Sequence, residues 1–265
     1  MDSKDDFYLD ERGLASYFEA SWLDRFRDLG NQIPLTSASR IIPEKFIHSP
    51  FFVEVAKFAF DKTQHLSPPT NLLEIGPALG RTCYETLRLH PSIIDVTVVE
   101  PSNRLLDGFR RILIDGGQRT AFPYIHSLTE LGSMEVDTSS VTRECRQAAF
   151  TLMNEAMTQH TISEQFDRVY CLNVIDNANN PMEIVQAAQR CTKPGGALIL
   201  ACTYQWSKKF LESPADMPRD INELFDSSWV CLGESKFEYK FRFNERFWRT
   251  FSSHIVIYEK NKMAL

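Results

Sequence analysis

The stretch Asn71-Leu72-Leu73-Glu74-Ile75-Gly76-Pro77-Ala78-Leu79-Gly80-Arg81-Thr82-Cys83-Tyr84-Glu85 decides the fold. A short apolar run enters an acid, then a glycine turn, then a segment that reads as the opening of a helix. Neither Gly76 nor Gly80 carries a Cβ, which suits a sharp turn and a close approach of backbone to something bound there. Amides at the start of the following helix point at that ligand. A dinucleotide site needs G-x-G-x-x-G to hold a pyrophosphate. Here the glycines read G-x-x-x-G, with Ala78 where a further glycine would fall, and Glu74 comes first. A carboxylate in that place repels phosphate and welcomes an ammonium or hydroxyl groups.

Downstream, Asp95-Val96-Thr97-Val98-Val99-Glu100 reads as a second buried strand, rich in β-branched residues and ending in a carboxylate. An acid about twenty residues past the glycine turn takes ribose hydroxyls in a doubly wound fold. One carboxylate holds two adjacent hydroxyls in a bidentate way. Glu74, Gly76, Pro77, Ala78, Gly80 and Glu100 together make S-adenosylmethionine (SAM) the expected cofactor, with Pro101 and Ser102 along its adenosine edge.

The 265 residues allow one large α/β domain, and 43% apolar residues with 19 Phe allow a sizeable, aromatic-rich core. A net charge of −6 and the lack of a Lys/Arg cluster beyond Arg242, Arg246 and Arg249 argue against nucleic acid as a partner. The six cysteines contain no C-x-x-C pair, and His126 and His160 stand alone, so reduced thiols and no metal are expected. The acidic start and the absence of a long apolar run imply no membrane segment and a cytoplasmic protein. Oligomeric state is not legible.

Residues 1–68 are expected to form an N-terminal helical cap ahead of a SAM-binding domain over 69–265. Leu14, Tyr17, Phe18, Trp22, Phe26 and Leu29 recur at helical spacing before Gly30, and a second helix is expected from Ser49 to Lys62. These helices either simply cover the sheet or act as a lid that brings Tyr8, Tyr17 or Trp22 over a substrate. Ala121–Leu128 reads as a third strand of the sheet, at an edge because of Pro123. The stretch 141–160 reads as a crossover helix on the stripe Val141, Cys145, Ala148, Ala149, Leu152, Met153 and Ala156.

Phe166–Asp176 reads as the fourth strand, and ligands of open parallel sheets bind beyond strand C-termini where strand order reverses. Asn173, Val174 and Asp176 are therefore expected beside Glu74. Pro181–Thr192 is a helix with proline at its first position, and Ala197–Thr203 a fifth strand that leads to Tyr204-Gln205-Trp206 at the cleft mouth. The alternation of Phe237, Tyr239, Phe241 and Phe243 with polar residues predicts a half-buried strand, in an antiparallel hairpin with Ser253–Glu259.

In combination, Glu74-x-Gly76-x-x-x-Gly80, Glu100, the strand ending at Asn173 and Lys193-Pro194-Gly195-Gly196 resemble a class I SAM-dependent methyltransferase over roughly residues 70–260. The resemblance implies an α/β fold, a doubly wound, mostly parallel seven-stranded Rossmann-like sheet. It sets Glu74 and Gly76 at the methionine end of SAM, Glu100 on the ribose, and Leu128 or Thr129 near the adenine. More narrowly, Gly76–Glu85 is similar to the G-x-A-x-G-R-S-x-x-E turn of the 4-mercaptohistidine N-methyltransferase domain of ovothiol biosynthesis. Asn173-Val174-Ile175-Asp176-Asn177 through Pro181 resembles its N-L-I-D segment, Thr203-Tyr204-Gln205-Trp206 its P-Y-T-W segment, and Ser253-His254-Ile255-Val256 falls where that family ends. Ile175–Asn180 is also similar to the I-D-T-A-N-N segment of carnosine N-methyltransferases. Ala201-Cys202 departs from the T-S that precedes P-Y in the first family.

Both families methylate an imidazole nitrogen, so the expected function is N-methylation of a small histidine-type imidazole. The alternatives are a small-molecule O-, S-, C- or other N-methyltransferase, and a SAM-binding protein without transferase activity. A neutral imidazole is already a nucleophile at pH 7 and needs only the right tautomer. Asp176 is expected to accept one ring N–H and so aim the other nitrogen at the methyl group; the alternative is an Asx-turn role in its loop. Tyr204 is the second expected catalytic residue, with Asn177 and Trp206 as further substrate contacts and Trp206 stacking on a cationic ring.

Overall fold

The computed structural model describes residues 10–34, 42–43, 46–47, 51–206 and 217–262. Seven strands form one sheet in the order β5-β2-β1-β6-β7-β9-β8: β1 (Asn71–Ile75), β2 (Asp95–Val99), β5 (Ala149–Met153), β6 (Phe166–Leu172), β7 (Thr192–Cys202), β8 (Trp229–Arg242) and β9 (Trp248–Lys260). Six run in one direction, and β9 alone inserts antiparallel between β7 and β8. The order reverses between β1 and β6, which opens a crevice above their carboxyl ends. This is the doubly wound, mostly parallel seven-stranded sheet expected. Among the described residues no helix is long and apolar enough to cross a membrane.

Helices α1 (Glu11–Asp28), α2 (Phe51–Thr63), α3 (Arg81–Leu89) and α4 (Asn103–Arg110) share one hydrophobic core on one face of the sheet, and α6 (Pro181–Cys191) packs with a second core on the other. The N-terminal helices are thus not a loose appendage. The Trp22 indole N–H donates to Leu79 O (3.0 Å), inside the glycine turn. Arg81 reaches back to Ser21 O (2.5 Å) and, through both Nη atoms, to Asp24 (2.6 and 2.8 Å). Trp22 is fully buried and Tyr17 packs edge-on against Phe241, so neither hangs over an acceptor. Trp22 clamps the glycine turn and Tyr17 packs on β8; Tyr8 lies outside the described residues.

Two elements differ from the sequence reading. Thr120–Ile125 (β3) does not join the sheet but pairs only with Leu131–Val136 (β4), as a separate hairpin stacked on α1 through Phe18 and Phe122 (centroids 4.6 Å). The edge position beside β2 belongs to β5, which lies inside the stretch read as a helix over 141–160. That stretch is a short helix α5 (Ser139–Cys145), which buries Val141 and Cys145, followed by a strand. The stripe misleads because Ala148, Phe150 and Leu152 satisfy a period of two as well as the wider spacings. The unpaired edge of β2 decides between the two.

The β8–β9 hairpin runs past the sheet. The last β7 pair is Cys202 with His254, whereas β9 begins at Trp248, so six residues overhang the carboxyl edge. At 3.3 Å per residue that arm is about 20 Å long. It is tied down by a buried ion pair: Arg242 donates from Nε to Glu19 Oε2 (2.7 Å) and from Nη2 to Glu19 Oε1 (2.6 Å) and Ile125 O. One pair joins β8, α1 and the β3–β4 hairpin.

Candidate active site

Strand β1 is buried through Leu72–Ile75, then turns at Gly76, whose φ is +66°. A Cβ here would sit 2.5 Å from Val174 Cγ2, so the turn and the loop after β6 touch only because the side chain is absent. Gly80, at φ +75°, caps α3, and a Cβ there would strike the Phe109 ring. Three non-glycine residues among those described also have positive φ: Ala78 (50°), Asn173 (55°) and Tyr204 (58°). They follow β1, β6 and β7, so the backbone strain gathers along one rim of the sheet, as it does at functional sites.

Glu74 and Glu100 face this rim from β1 and the end of β2, both buried. Glu100 accepts from Ser102 N–H at Oε1 (2.9 Å) and Ala78 N–H at Oε2 (3.3 Å), so it ties the glycine turn to the start of α4. Burial pushes its carboxyl up to about 7 despite those two donors. Burial pushes Glu74 up to about 8, and the nearby Glu100 adds to the rise. Glu74 Oε2 is buried with no hydrogen-bond partner. A buried acceptor left open at a glycine turn fits the ammonium of SAM, and a second carboxylate at the end of β2 fits its ribose hydroxyls. The space that a Cβ at Gly76 would fill fits a ligand lying against the backbone.

Beyond β6 and β7 the polar groups interlock. Asn173 N–H donates to Ala201 O (2.9 Å), and its side-chain oxygen accepts from Ser253 Oγ (2.6 Å) on β9. Asp176 is 1% exposed and accepts from the Thr203 amide (3.1 Å), the Thr203 hydroxyl and Asn177 Nδ2 (3.2 Å). Its carboxyl is raised by burial against the pull of those donors. The expected meeting of Asp176 with a substrate N–H in the crevice is therefore corrected: the carboxylate braces the loop after β6 against the loop after β7. Tyr204, the next residue, accepts from Ile221 N–H (3.1 Å), and its hydroxyl lies 2.6 Å from His254 Nδ1. Burial, with Asp220 and Glu234 nearby, pushes the phenol up to about 12.

The structure brings together Glu74, Gly76, Pro77, Ala78, Gly80, Glu100, Pro101, Ser102, Asn173 and Val174 around one rim. It does not bring Leu128 and Thr129 there by the strand expected. Both lie in the turn of the separate β3–β4 hairpin, with Leu128 66% exposed. The backbone that follows the true edge strand is Asn154-Glu155, and Asn154 Nδ2 donates to Glu100 O (3.0 Å) and Pro101 O (3.2 Å). Asn177 is exposed and bonded to Asp176, and Trp206 is half-buried against Tyr204 (centroids 6.5 Å). Sequence reasoning missed Asn154, Ser253 and His254. Asn154 was hidden by the helix reading; His254 reads as one more residue of an alternating strand, with its partner fifty positions away.

A family model described as a methyltransferase domain matches residues 51–229. No curated protein matches. Among solved structures, the N-methyltransferase NodS from Bradyrhizobium japonicum WM9 is similar at 13% identity and a TM-score of 0.51, over 80% of this chain and 98% of that one. NodS in complex with S-adenosyl-L-homocysteine (SAH) is similar at 12% identity and a TM-score of 0.50, over 91% and 98%. A proposed RNA methyltransferase, PH1948 from Pyrococcus horikoshii, is similar at 11% identity and a TM-score of 0.51, over 80% and 84%. At these identities the likeness is one of fold.

Proposed function

The chain belongs to the methyltransferase domain family and takes its methyl group from SAM; on that premise we propose that its acceptor is a small molecule, and that the atom methylated is a ring nitrogen of a histidine-type imidazole. The observation that carries the small-molecule reading is the overhanging β8–β9 arm. Held to α1 and the β3–β4 hairpin by Glu19–Arg242, it walls the rim beside β7 where a macromolecular acceptor would need open ground. The acidic balance of the chain supports the same reading, because a nucleic-acid acceptor favours a basic face.

SAM supplies an activated methyl group, so alignment of acceptor, carbon and sulfur and exclusion of water are what remain for the protein. In this reading Glu74 takes the ammonium and Glu100 the ribose diol, with Gly76–Gly80 and Val174 against the methionine end. Pro101, Ser102 and Asn154-Glu155 line the adenosine side. Asn173 and Tyr204 face the acceptor, Asp176 fixes the loop that presents Tyr204, and Trp206 supplies a face for a cationic ring. The imidazole assignment rests on the resemblance of Asn173–Pro181 and Thr203–Trp206 to imidazole methyltransferases.

Incubation with methyl-labelled SAM and a panel of histidine, 4-mercaptohistidine, carnosine and catechol tests it. Label in imidazoles alone supports the proposal. Label in catechol alone moves the acceptor to another small-molecule class, and label in added tRNA instead of the panel overturns the small-molecule reading.

A further inference from the structure

Ser253 and His254 are consecutive on β9 and so point to opposite faces of the sheet. Each engages one strained residue of the rim: Ser253 donates to Asn173 (2.6 Å), and His254 Nδ1 lies 2.6 Å from the Tyr204 hydroxyl. The second contact is more than a brace. The Tyr204 oxygen already accepts the Ile221 amide, which leaves its single proton free to donate to Nδ1. The other ring nitrogen, Nε2, lies 3.5 Å from Glu234 Oε2, itself held by Asn222 Nδ2 (2.9 Å). His254 is 8% exposed, while Tyr204, in the loop after β7, is half-buried.

We infer that His254 receives, through the Tyr204 hydroxyl, the proton that the acceptor sheds on methylation. The inference rests on the reading above that Tyr204 faces the acceptor. The acceptor atom attacks the methyl carbon, and the new bond forms as the carbon–sulfur bond breaks with its electron pair left on sulfur. The acceptor is then cationic until a proton departs; for an imidazole that proton is on the ring's other nitrogen. It passes to the Tyr204 oxygen as the Tyr204 hydroxyl proton passes to Nδ1. Neutral product and neutral tyrosine remain, beside an imidazolium whose Nε2–H faces Glu234. A phenol raised to about 12 supplies no phenolate at neutral pH, so it relays a proton only when a base takes its own. Acceptors that carry a dissociable proton, such as ring N–H, amine or phenol, are the class this pair serves; His254 is its positioning residue and proton sink, Tyr204 the group that touches substrate.

The charged and titratable groups that face His254 are Tyr204 after β7, Cys202 on β7, its register partner there, Asp220 (4.0 Å from Nδ1) ahead of the turn 221–224, and, on β8, Glu234 and Lys236, the latter its register partner on that side. The test compares wild type with His254→Asn, whose amide oxygen still accepts the Tyr204 hydroxyl but takes no proton. With whichever panel acceptor is turned over, kcat should fall about 100-fold at pH 7, with SAH affinity within about twofold, and recover as pH rises and solvent base replaces the imidazole. A variant with the wild-type kcat and pH profile overturns the relay and leaves His254 as a brace. In parallel, nitrogen NMR of histidine-labelled protein should show His254 protonated at Nε2 and accepting at Nδ1, a pattern altered by Tyr204→Phe. Protonation at Nδ1 in neutral His254 overturns the relay too. If no panel acceptor is methylated, the proposed function falls, and the NMR result still decides the direction of the Tyr204–His254 bond.

Discussion

Lowering the pH from 8 to 6 should loosen the cofactor by orders of magnitude, because the two carboxylates proposed to meet it are buried. Glu100 sits at about 7 and Glu74 at about 8, both lifted by desolvation. Each must be ionised to accept the hydroxyls or ammonium at full strength, so the apparent Kd scales as one plus the ratio of protonated to ionised acid. For Glu100 that ratio carries the Kd up about tenfold between pH 8 and 6, and for Glu74 about fiftyfold. The product, about 500-fold over the interval, is the upper figure, because the charge of Glu100 itself contributes to the rise at Glu74. Isothermal titration with SAH at pH 6, 7 and 8, in buffers of differing ionisation enthalpy, reads both the Kd and the protons released on binding. Glu100→Gln should bind more weakly at pH 8 and lose the Glu100 share, and the Glu74 dependence that remains should move to lower pH, because the charge that adds to its rise is gone. A wild-type Kd that is flat from pH 6 to 8, or a slope unchanged by Glu100→Gln, refutes the assignment of these carboxylates to the cofactor.

The same shifts set the stability of the ligand-free protein. The folded carboxyls hold protons that the unfolded chain releases near the ordinary glutamate value of 4.5. The stability these two groups contribute is therefore fully present below about pH 4.5 and is lost as pH climbs from there through 7 and 8. The loss is up to about 1.4 kcal/mol per pH unit for each group. The rise in Tm caused by SAH should grow over the same interval, which differential scanning fluorimetry would show.

Gly76→Ala should abolish SAH binding and cost about 1–3 kcal/mol in urea unfolding, because it combines a positive φ with a collision at Val174; adding Val174→Ala relieves the collision but not the backbone strain. Asp176→Ala leaves the Thr203 amide and hydroxyl without their acceptor, and should cost about 1–3 kcal/mol and lower kcat with little change in SAH affinity, measured by unfolding and labelled transfer. Arg242→Ala strands Glu19 in the core and should destabilise by about 3–5 kcal/mol, whereas the paired Arg242→Met, Glu19→Leu should recover much of that loss in the same assay.

The cofactor rim was legible because it is local. Glu74, Gly76 and Gly80 lie within seven residues, and their chemistry follows from side chains that are present or absent on one turn. Glu100 was legible because an apolar β-branched run ending in an acid announces where a strand ends. The edge strand was not, since Ala149–Met153 satisfies two periodicities and only the open edge of β2 selects one. The residues after that strand were hidden with it: Leu128 and Thr129 follow a strand of the separate hairpin, and Asn154 follows the edge strand of the sheet.

By itself the sequence determined the doubly wound sheet, its glycine turn and SAM as the methyl donor. Those are short-range matters of pattern and of where a Cβ is missing. Tertiary structure alone decided what the polar residues beyond β6 and β7 do. Asp176 is a brace because Thr203, twenty-seven residues on, fills its carboxylate. Tyr204 has an imidazole beside it because an antiparallel strand late in the chain inserts next to β7 and sets His254 opposite Cys202. Hydrogen-bond partners across such distances are fixed by register and burial, which no local pattern encodes.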